Sequence, residues 1–400
     1  MNRIPDDASA RQATPVTSPT LVVFLGDLGT TPIETIVATA RRAAALDSIE
    51  DALASGAFER AILATDQACD QDLPPGLELD LDDGPFHFGA RLSDLIRRHA
   101  LDAVVYLGGG SVPLFRADDF RELAGSLTRD IALANNSFSS DLAAFPVSEG
   151  VLDAIAPLER DNALARALEE NAGLAVGELS RTIETQMDID SPSDLAVLAL
   201  TGEGGPRLRE CLRSVQSDAN PTAQALSLPA YQRVLPLFTN REAQIIVAGR
   251  VGSHSWRYLE RETACRVRLF AEERGLESDG RALTGTPRSL LGFFIEAAGV
   301  DGFFEVLPKL GDGAFIDTRV LLAHFGIAAT REDRFLSDLG HWSQISDPFL
   351  RDFTRAAVEA RIPVLLGGHS LMSGGLMALN EFAWRQHEAQ HVNPPAASSS

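Results

Sequence analysis

Short apolar runs that stop at glycine alternate along this chain with longer stretches whose apolar positions recur every three or four residues. Residues 21–25 (LVVFL) are continuously apolar and end at Gly26, Asp27 and Gly29, the pattern of a buried parallel strand entering a turn. Pro32 then opens a helical stretch with Ile33, Ile36, Val37, Ala40, Ala44 and Leu46 on helical spacing. Residues 61–64 (AILA) predict the next strand, and residues 88–100 an amphipathic helix with Leu92, Leu95 and Ile96 opposite Arg97 and Arg98. A strand over 103–107 runs into Gly108, Gly109 and Gly110, and a further strand is expected over 131–134. A helix follows from Ser191 through Leu200 and stops at residues 201–206 (TGEGGP), a loop signal.

The pattern restarts beyond that loop. Residues 244–248 (QIIVA) predict a strand, 253–274 one long helix, 287–298 another helix and 347–360 a third. Residues 312–325 hold an apolar run interrupted by Asp317, Thr318 and Arg319, whose type periodicity does not settle. Residues 363–366 are strand-like and lead through Gly367, Gly368, His369 and Ser370 into a last helix reaching Trp384. No internal repeat relates the halves. Strands alternating with helices give an α/β class: a mostly parallel sheet with helices on both faces, where ligands bind beyond the carboxyl ends of strands, plus a second α/β, helix-rich region. The expected organisation is a disordered tail over 1–18, a first α/β domain over 19–203, a linker over 204–228, a second α/β domain over 229–388 and a disordered tail over 389–400. One large continuous fold is the rival.

Composition narrows the chemistry. The chain has 400 residues, 45% of them apolar, enough for two cores of ordinary size. Its 56 acidic and 35 basic residues give a formal charge of −21, which repels a nucleic-acid backbone and favours small-molecule partners. The first twenty residues are polar and lack an apolar run, and no stretch approaches the length of a spanning helix, so neither a leader nor a membrane partner is expected and the location is read as cytoplasmic. Cys69, Cys211 and Cys265 are odd in number and scattered, which fits a reducing compartment and excludes a CxxC metal knuckle. Lys309 is the only lysine and follows Pro308, so no phosphate-binding GxxxxGK loop exists and pyridoxal chemistry would depend on that residue alone.

Several polar groups sit at predicted strand ends. Gly26, Asp27 and Gly29, with Pro32 at a helix start, can bring backbone N–H groups and a helix dipole to a phosphate. Asn135, Asn136 and Asp141, with Ser137, Ser139 and Ser140, follow another strand; two amides there can read a base or sugar and Asp141 can bind metal, or the cluster simply makes turns. Asp188 and Asp190 precede Ser191, Pro192 and Asp194, which also spells helix capping.

Two of these stretches, residues 102–115 (DAVVYLGGGSVPLF) and 187–195 (MDIDSPSDL), together resemble the core of the GT-A-like nucleotidyltransferases, the superfamily of the molybdenum-cofactor and phospholactate guanylyltransferases. The resemblance implies a nucleotide-diphospho-sugar transferase-like sheet, with a nucleoside triphosphate and a small phosphorylated acceptor as partners. It makes Gly108, Gly109, Gly110 and Ser111 the nucleotide-binding turn and Asp188 or Asp190 the ligand of a Mg2+ ion. The family's acidic residue at the strand end is replaced by Ser111, which brings no charge to a hard cation. The basic N-terminal loop of these enzymes is replaced by residues 26–32 (GDLGTTP).

In the second half, Arg250 and His254 lie in residues 249–255 (GRVGSHS), between a strand and a helix, an arrangement suited to an anion. His369 repeats the pattern, and Asp317 with Arg319 can complete a pocket. Both histidines are candidate acid–base groups, or helix caps with half-buried rings. Residues 387–391 (HEAQH) match HExxH literally, but a polar tail follows and supplies no third ligand, so this is a chance match. Three functions follow: transfer of a nucleoside monophosphate with Mg2+; a first half that only binds nucleotide or dimerises, making a homo-oligomer; or an enzyme that works through the second half on a phosphorylated or carboxylated metabolite.

Overall fold

A computed structural model describes residues 18–26, 29, 31–66, 73–82, 84–216, 226, 229–275, 281 and 286–392. Asp27, Cys69, residues 1–17 and the last eight residues, including most of both expected tails, lie outside the described residues. The chain divides into two compact units. The first comprises Met1–Gly26, Ser48–Ser111 and Phe115–Ser180, and the second Asp27–Asp47, Val112–Leu114 and Arg181–Ser400.

The first unit holds a seven-stranded sheet: β1 (Thr20–Leu25), β2 (Ala61–Thr65), β3 (Leu77–Leu81), β4 (Ala103–Gly108), β5 (Ile131–Ala134), β6 (Leu142–Pro146) and β7 (Ala175–Glu178), in the order β3-β2-β1-β4-β6-β5-β7. All pairings are parallel except those of β6, which runs against both β4 and β5. Strand order reverses between β1 and β4, so the carboxyl ends of these two strands flank a crevice of the kind that holds ligands in open sheets. One face of the sheet carries Val22, Phe24, Ile62, Val104, Tyr106 and Phe145, packed with Phe88, Leu92, Leu95 and Ile96 of the helix Phe88–Arg98. Phe24, Phe88 and Tyr106 meet edge to face with centroids 5.3–5.8 Å apart.

The second unit is built on four parallel strands, β8 (Gln244–Gly249), β9 (Arg266–Ala271), β10 (Gly313–Asp317) and β11 (Val364–Gly367), ordered β11-β10-β8-β9. Alternate residues of its strands feed two cores. Ile245, Val247, Phe315 and Leu365 face a cluster with Ile33, Val37, Ala40 and Ala44, with Leu195, Val197 and Leu198, with Val234 and Phe238, and with Leu376 and Leu379. Ile246, Ala314, Ile316 and Leu366 face Phe303, Phe304, Leu321 and Phe353. Both faces of β8, β10 and β11 are thereby covered, which is why these strands carry apolar residues at successive positions.

The α/β class holds, while individual elements differ from expectation. The helix expected over 253–274 ends at Glu262, and Arg266–Ala271 is strand β9: Arg266, Val267, Arg268 and Leu269 alternate between exposed and half-buried positions, a period of two. The ambiguous run 312–325 is strand β10 followed by the helix Thr318–Phe325, with buried Asp317 as its N-cap, accepting from Arg319 N. The stretch expected as a linker holds the helix Pro206–Gln216, whose first amides, Arg207 N and Leu208 N, donate to Asp47. The helix Leu290–Leu310 contains a break at Gly299, where φ is 74°. Among the described residues no helix is long and apolar enough to cross a membrane.

Candidate functional site

In the first unit the expected nucleotide turn is a tight backbone structure. Gly108 N donates to Asp141 O at 2.9 Å, and the Ser111 hydroxyl donates back to Gly108 O at 2.8 Å. A Cβ on Gly109 would stand 2.5 Å from Leu25 Cδ1 and 3.0 Å from Phe24 O, so a side chain here would have to displace Leu25 and press on the backbone at the end of β1. Gly110 and Ser111 are buried beside it. Gly26, at the end of β1, is exposed and has open space where a side chain would stand. The Tyr106 hydroxyl, at the crevice end of β4, donates to Asp161 at 2.9 Å.

The amide pair is committed to the loop. Asn135 Oδ1 accepts Leu142 N, Asn136 Oδ1 accepts Phe138 N, and both residues are buried. The Ser140 hydroxyl bridges Asn136 O and Ala165 N. These are turn-forming bonds of the kind that Asn and Ser supply at strand ends.

Gly29 belongs to the second unit. Its φ of 121° and the Glu34 carboxylate, 2.1 Å from where its Cβ would stand, make it a glycine-only position. Glu34 also accepts Thr31 N, so a side chain of the protein itself caps the helix start at Pro32.

The second unit brings the remaining candidates together at the carboxyl end of its sheet, where strand order reverses between β8 and β10. Arg250 follows β8, Asp317 ends β10 and His369 follows β11. Arg250 Nε donates to Asp317 Oδ2 at 2.6 Å and its Nη2 to Oδ1 at 3.2 Å, while Arg319 N gives Oδ1 a further bond at 3.0 Å. Burial pushes the Asp317 carboxyl up, but Arg250 and Arg319 outweigh it and hold the group below the usual carboxylate range. Arg319, its side chain 16% exposed, grips both oxygens of the fully buried Asp338 through Nη1 and Nη2. Its positive charge is favoured by that partner and by Asp317 and Asp194.

His369 stands among Arg250, Arg274, Asp317 and Asp190. Burial and the two arginines outweigh the two carboxylates and drive the imidazole down to about 4, so it is neutral at pH 7. Its Nδ1 is buried without a hydrogen-bond partner. The next residue ties this turn to the acidic stretch: the Ser370 hydroxyl donates to Asp188 O at 2.8 Å and accepts Asp188 N at 3.4 Å. A π-helical turn, Leu371–Gly375, follows. A Cβ on Gly374 would lie 2.6 Å from Gln186 O and Met187 N, so the backbone before Asp188 packs directly on this turn.

The carboxylates of that stretch divide their work. Asp194 Oδ2 accepts Asp190 N at 3.0 Å, Ser191 N at 2.8 Å and the Ser191 hydroxyl at 3.1 Å, so the capping chemistry falls to Asp194 and Ser191. Burial, then the nearby Asp190 charge, push Asp194 up to about 8 despite those bonds. Asp190 is exposed and free of the cap through its own carboxylate, and Asp188 is half-buried. His254, the second residue of the helix Ser253–Glu262, shares a hydrogen bond with the Arg181 backbone. Burial and the Arg181 charge lower its imidazole, and its buried Nε2 has no partner.

Arg274, Arg181 and Asp338 escaped the sequence reading. The helical spacing over 253–274 predicts Arg274 inside a helix, which ends twelve residues earlier, and nothing near Arg181 or Asp338 has a motif. The signal for Arg274 was the charged turn after an alternating strand, residues 266–274 (RVRLFAEER).

No protein-family model matches the sequence, and no curated protein matches it. Among solved structures, a nucleotidyl transferase from Methanothermobacter thermautotroptrophicus is similar over 50% of this chain and 100% of its own, at 17% identity and a TM-score of 0.34. At that identity the likeness concerns fold alone, and at that score it carries no argument about activity.

Proposed function

We propose that this chain is an enzyme acting on a phosphorylated small molecule at the carboxyl end of its second sheet, with nucleotidyl transfer as its chemistry. The donor is a nucleoside triphosphate and the acceptor a phosphorylated small molecule. One observation carries the reading: Asp188 and Asp190 share a single unit with Arg250, Arg274, Asp317 and His369, and Asp190 and both arginines act on the His369 ring. Acidic oxygen donors and guanidinium groups are thus offered side by side, the pairing that polyphosphate chemistry needs.

Each residue has a distinct task. Arg250, whose Nη1 takes no part in the Asp317 pair, and Arg274 offset phosphate charge. Asp190 and Asp188 offer carboxylate oxygens to Mg2+, which would supply further offset of charge developing on the phosphates. Among the described residues no group of three or more His, Cys, Asp or Glu forms a metal cluster. One or two carboxylates suffice for Mg2+, which retains waters and takes phosphate oxygens. Neutral His369 can accept a hydrogen bond or a proton at Nδ1 from the acceptor. An acceptor oxygen forms the bond to the α-phosphorus, the α–β bridge bond breaks, and pyrophosphate leaves.

Thermal unfolding with each of the four ribonucleoside triphosphates, with and without Mg2+, tests this. A ligand at a hundred times its Kd adds about 2.7 kcal/mol. The reading expects a Mg2+-dependent shift that Asp190→Asn abolishes; no shift, or one that Asp190→Asn leaves intact, rejects it.

A second reading rests on the crevice between β1 and β4, where the Gly109 turn presents backbone rather than side chains. There the first unit only binds nucleotide. It expects a Mg2+-independent shift that Gly109→Val removes and Asp190→Asn does not.

A further inference from the structure

A cavity of about 560 Å³ opens in the second unit beside edge strand β11, within the range of small-molecule sites. Its walls include none of Arg250, His254, Arg274 or His369, and it shares with the site described above only Asp338, the partner of Arg319. The lining is largely apolar: Leu226, Leu339, Val358, Ile362 and Leu365 contribute to it. Arg233, an exposed residue of the helix Pro229–Phe238, completes its rim.

Two features define what fits. Arg233 has no hydrogen-bond or ion-pair partner among the described residues, although acidic residues outnumber basic ones 56 to 35 in this chain. The carboxylate in the wall, Asp338, is held through both oxygens by Arg319 and so leaves the rim guanidinium uncompensated. We propose that this cavity binds a small molecule with an apolar body and a single carboxylate, the body against Leu339, Val358, Ile362 and Leu365 and the carboxylate on Arg233. A planar guanidinium pairs a carboxylate through two parallel bonds, and the apolar wall gains by covering the body from water. A dianionic phosphate would leave its second charge uncompensated against a largely apolar wall beside one unpaired guanidinium, which selects for the monoanion.

Calorimetric titration of the full chain with sodium decanoate, kept below micelle formation, tests this, with decanol as the uncharged comparator. Decanoate is expected to bind at least tenfold more tightly than decanol. Arg233→Gln should reduce decanoate affinity about tenfold and remove that preference without lowering Tm, because Arg233 is exposed. Val358→Trp, at a position 53% exposed and therefore tolerant of bulk, should block both ligands. Absence of decanoate binding, equal affinity for the two ligands, or unchanged binding in Arg233→Gln or Val358→Trp would each overturn the proposal.

Discussion

Arg250 holds both carboxylate oxygens of Asp317, a side chain with no exposure at all, while remaining 15% exposed itself. The asymmetry orders two substitutions. Arg250→Met strands a buried carboxylate and should cost about 3–5 kcal/mol at pH 7. Asp317→Asn keeps an acceptor and leaves a guanidinium that can turn toward water, so it should cost less. Chemical denaturation of both variants measures this, and the reverse order would show that Arg319 alone compensates Asp317.

Gly249 is the hinge of that contact. Its φ is 143° and an added Cβ would stand 2.2 Å from Asp317 Cβ. Gly249→Ala combines a clash with a backbone conformation costing about 1–3 kcal/mol, and a marked fall in Tm is expected. Gly26→Ala has open space and should stay within about 0.5 kcal/mol of the parent. Parallel melts of the two proteins provide the comparison.

The Asp194 carboxyl rises from 3.8 to about 8 on folding, so the folded state binds a proton the unfolded chain releases. Its contribution is complete below pH 3.8 and is lost as pH climbs through about 8. Asn is a permanently neutral replacement, and Oδ1 of Asp194 has no partner to lose. Asp194→Asn should therefore gain stability relative to the parent progressively between pH 5 and pH 8, as urea midpoints at several pH values will show. A constant difference across that range contradicts the assignment.

His369 behaves in the opposite sense. Its ring falls from 6.5 to about 4 on folding, so stability is present above pH 6.5 and is lost as pH falls toward 4, where the unfolded chain takes up the proton first. Proton NMR of the C–H resonance should show His369 still neutral at pH 5. Replacement by Asn should flatten the stability profile between pH 4 and pH 6.5. A His369 resonance titrating near 6.5 refutes the environment described for it.

The strand cores were legible because burial on both faces makes them apolar throughout: residues 21–25, 61–64, 103–107 and 244–248 all form strands. Edge and reversed strands were not. LELDL in β3 and AVGE in β7 alternate or carry charge, and β6 lies antiparallel, a choice made by pairing rather than composition. At the candidate site, glycine and charge at strand ends pointed to Arg250, Asp317 and His369. Their company with Asp190 was invisible, since it depends on Ser370 and Gly374 meeting residues 186–188, far away in sequence. Capping by Asp194 was spelled out locally and is what the structure contains.

Ile33, Val37, Ala40 and Ala44 share a core with Val247, Phe315 and Leu365, strands made some two to three hundred residues later. At translation speeds of about 5–20 residues per second, that apolar helix face emerges roughly 15–65 s before β11 can join its core. During synthesis the early segment is consequently a natural client for chaperones. A fragment stopped at residue 203 would keep the helix without those strands, and its solubility on its own would suffer accordingly.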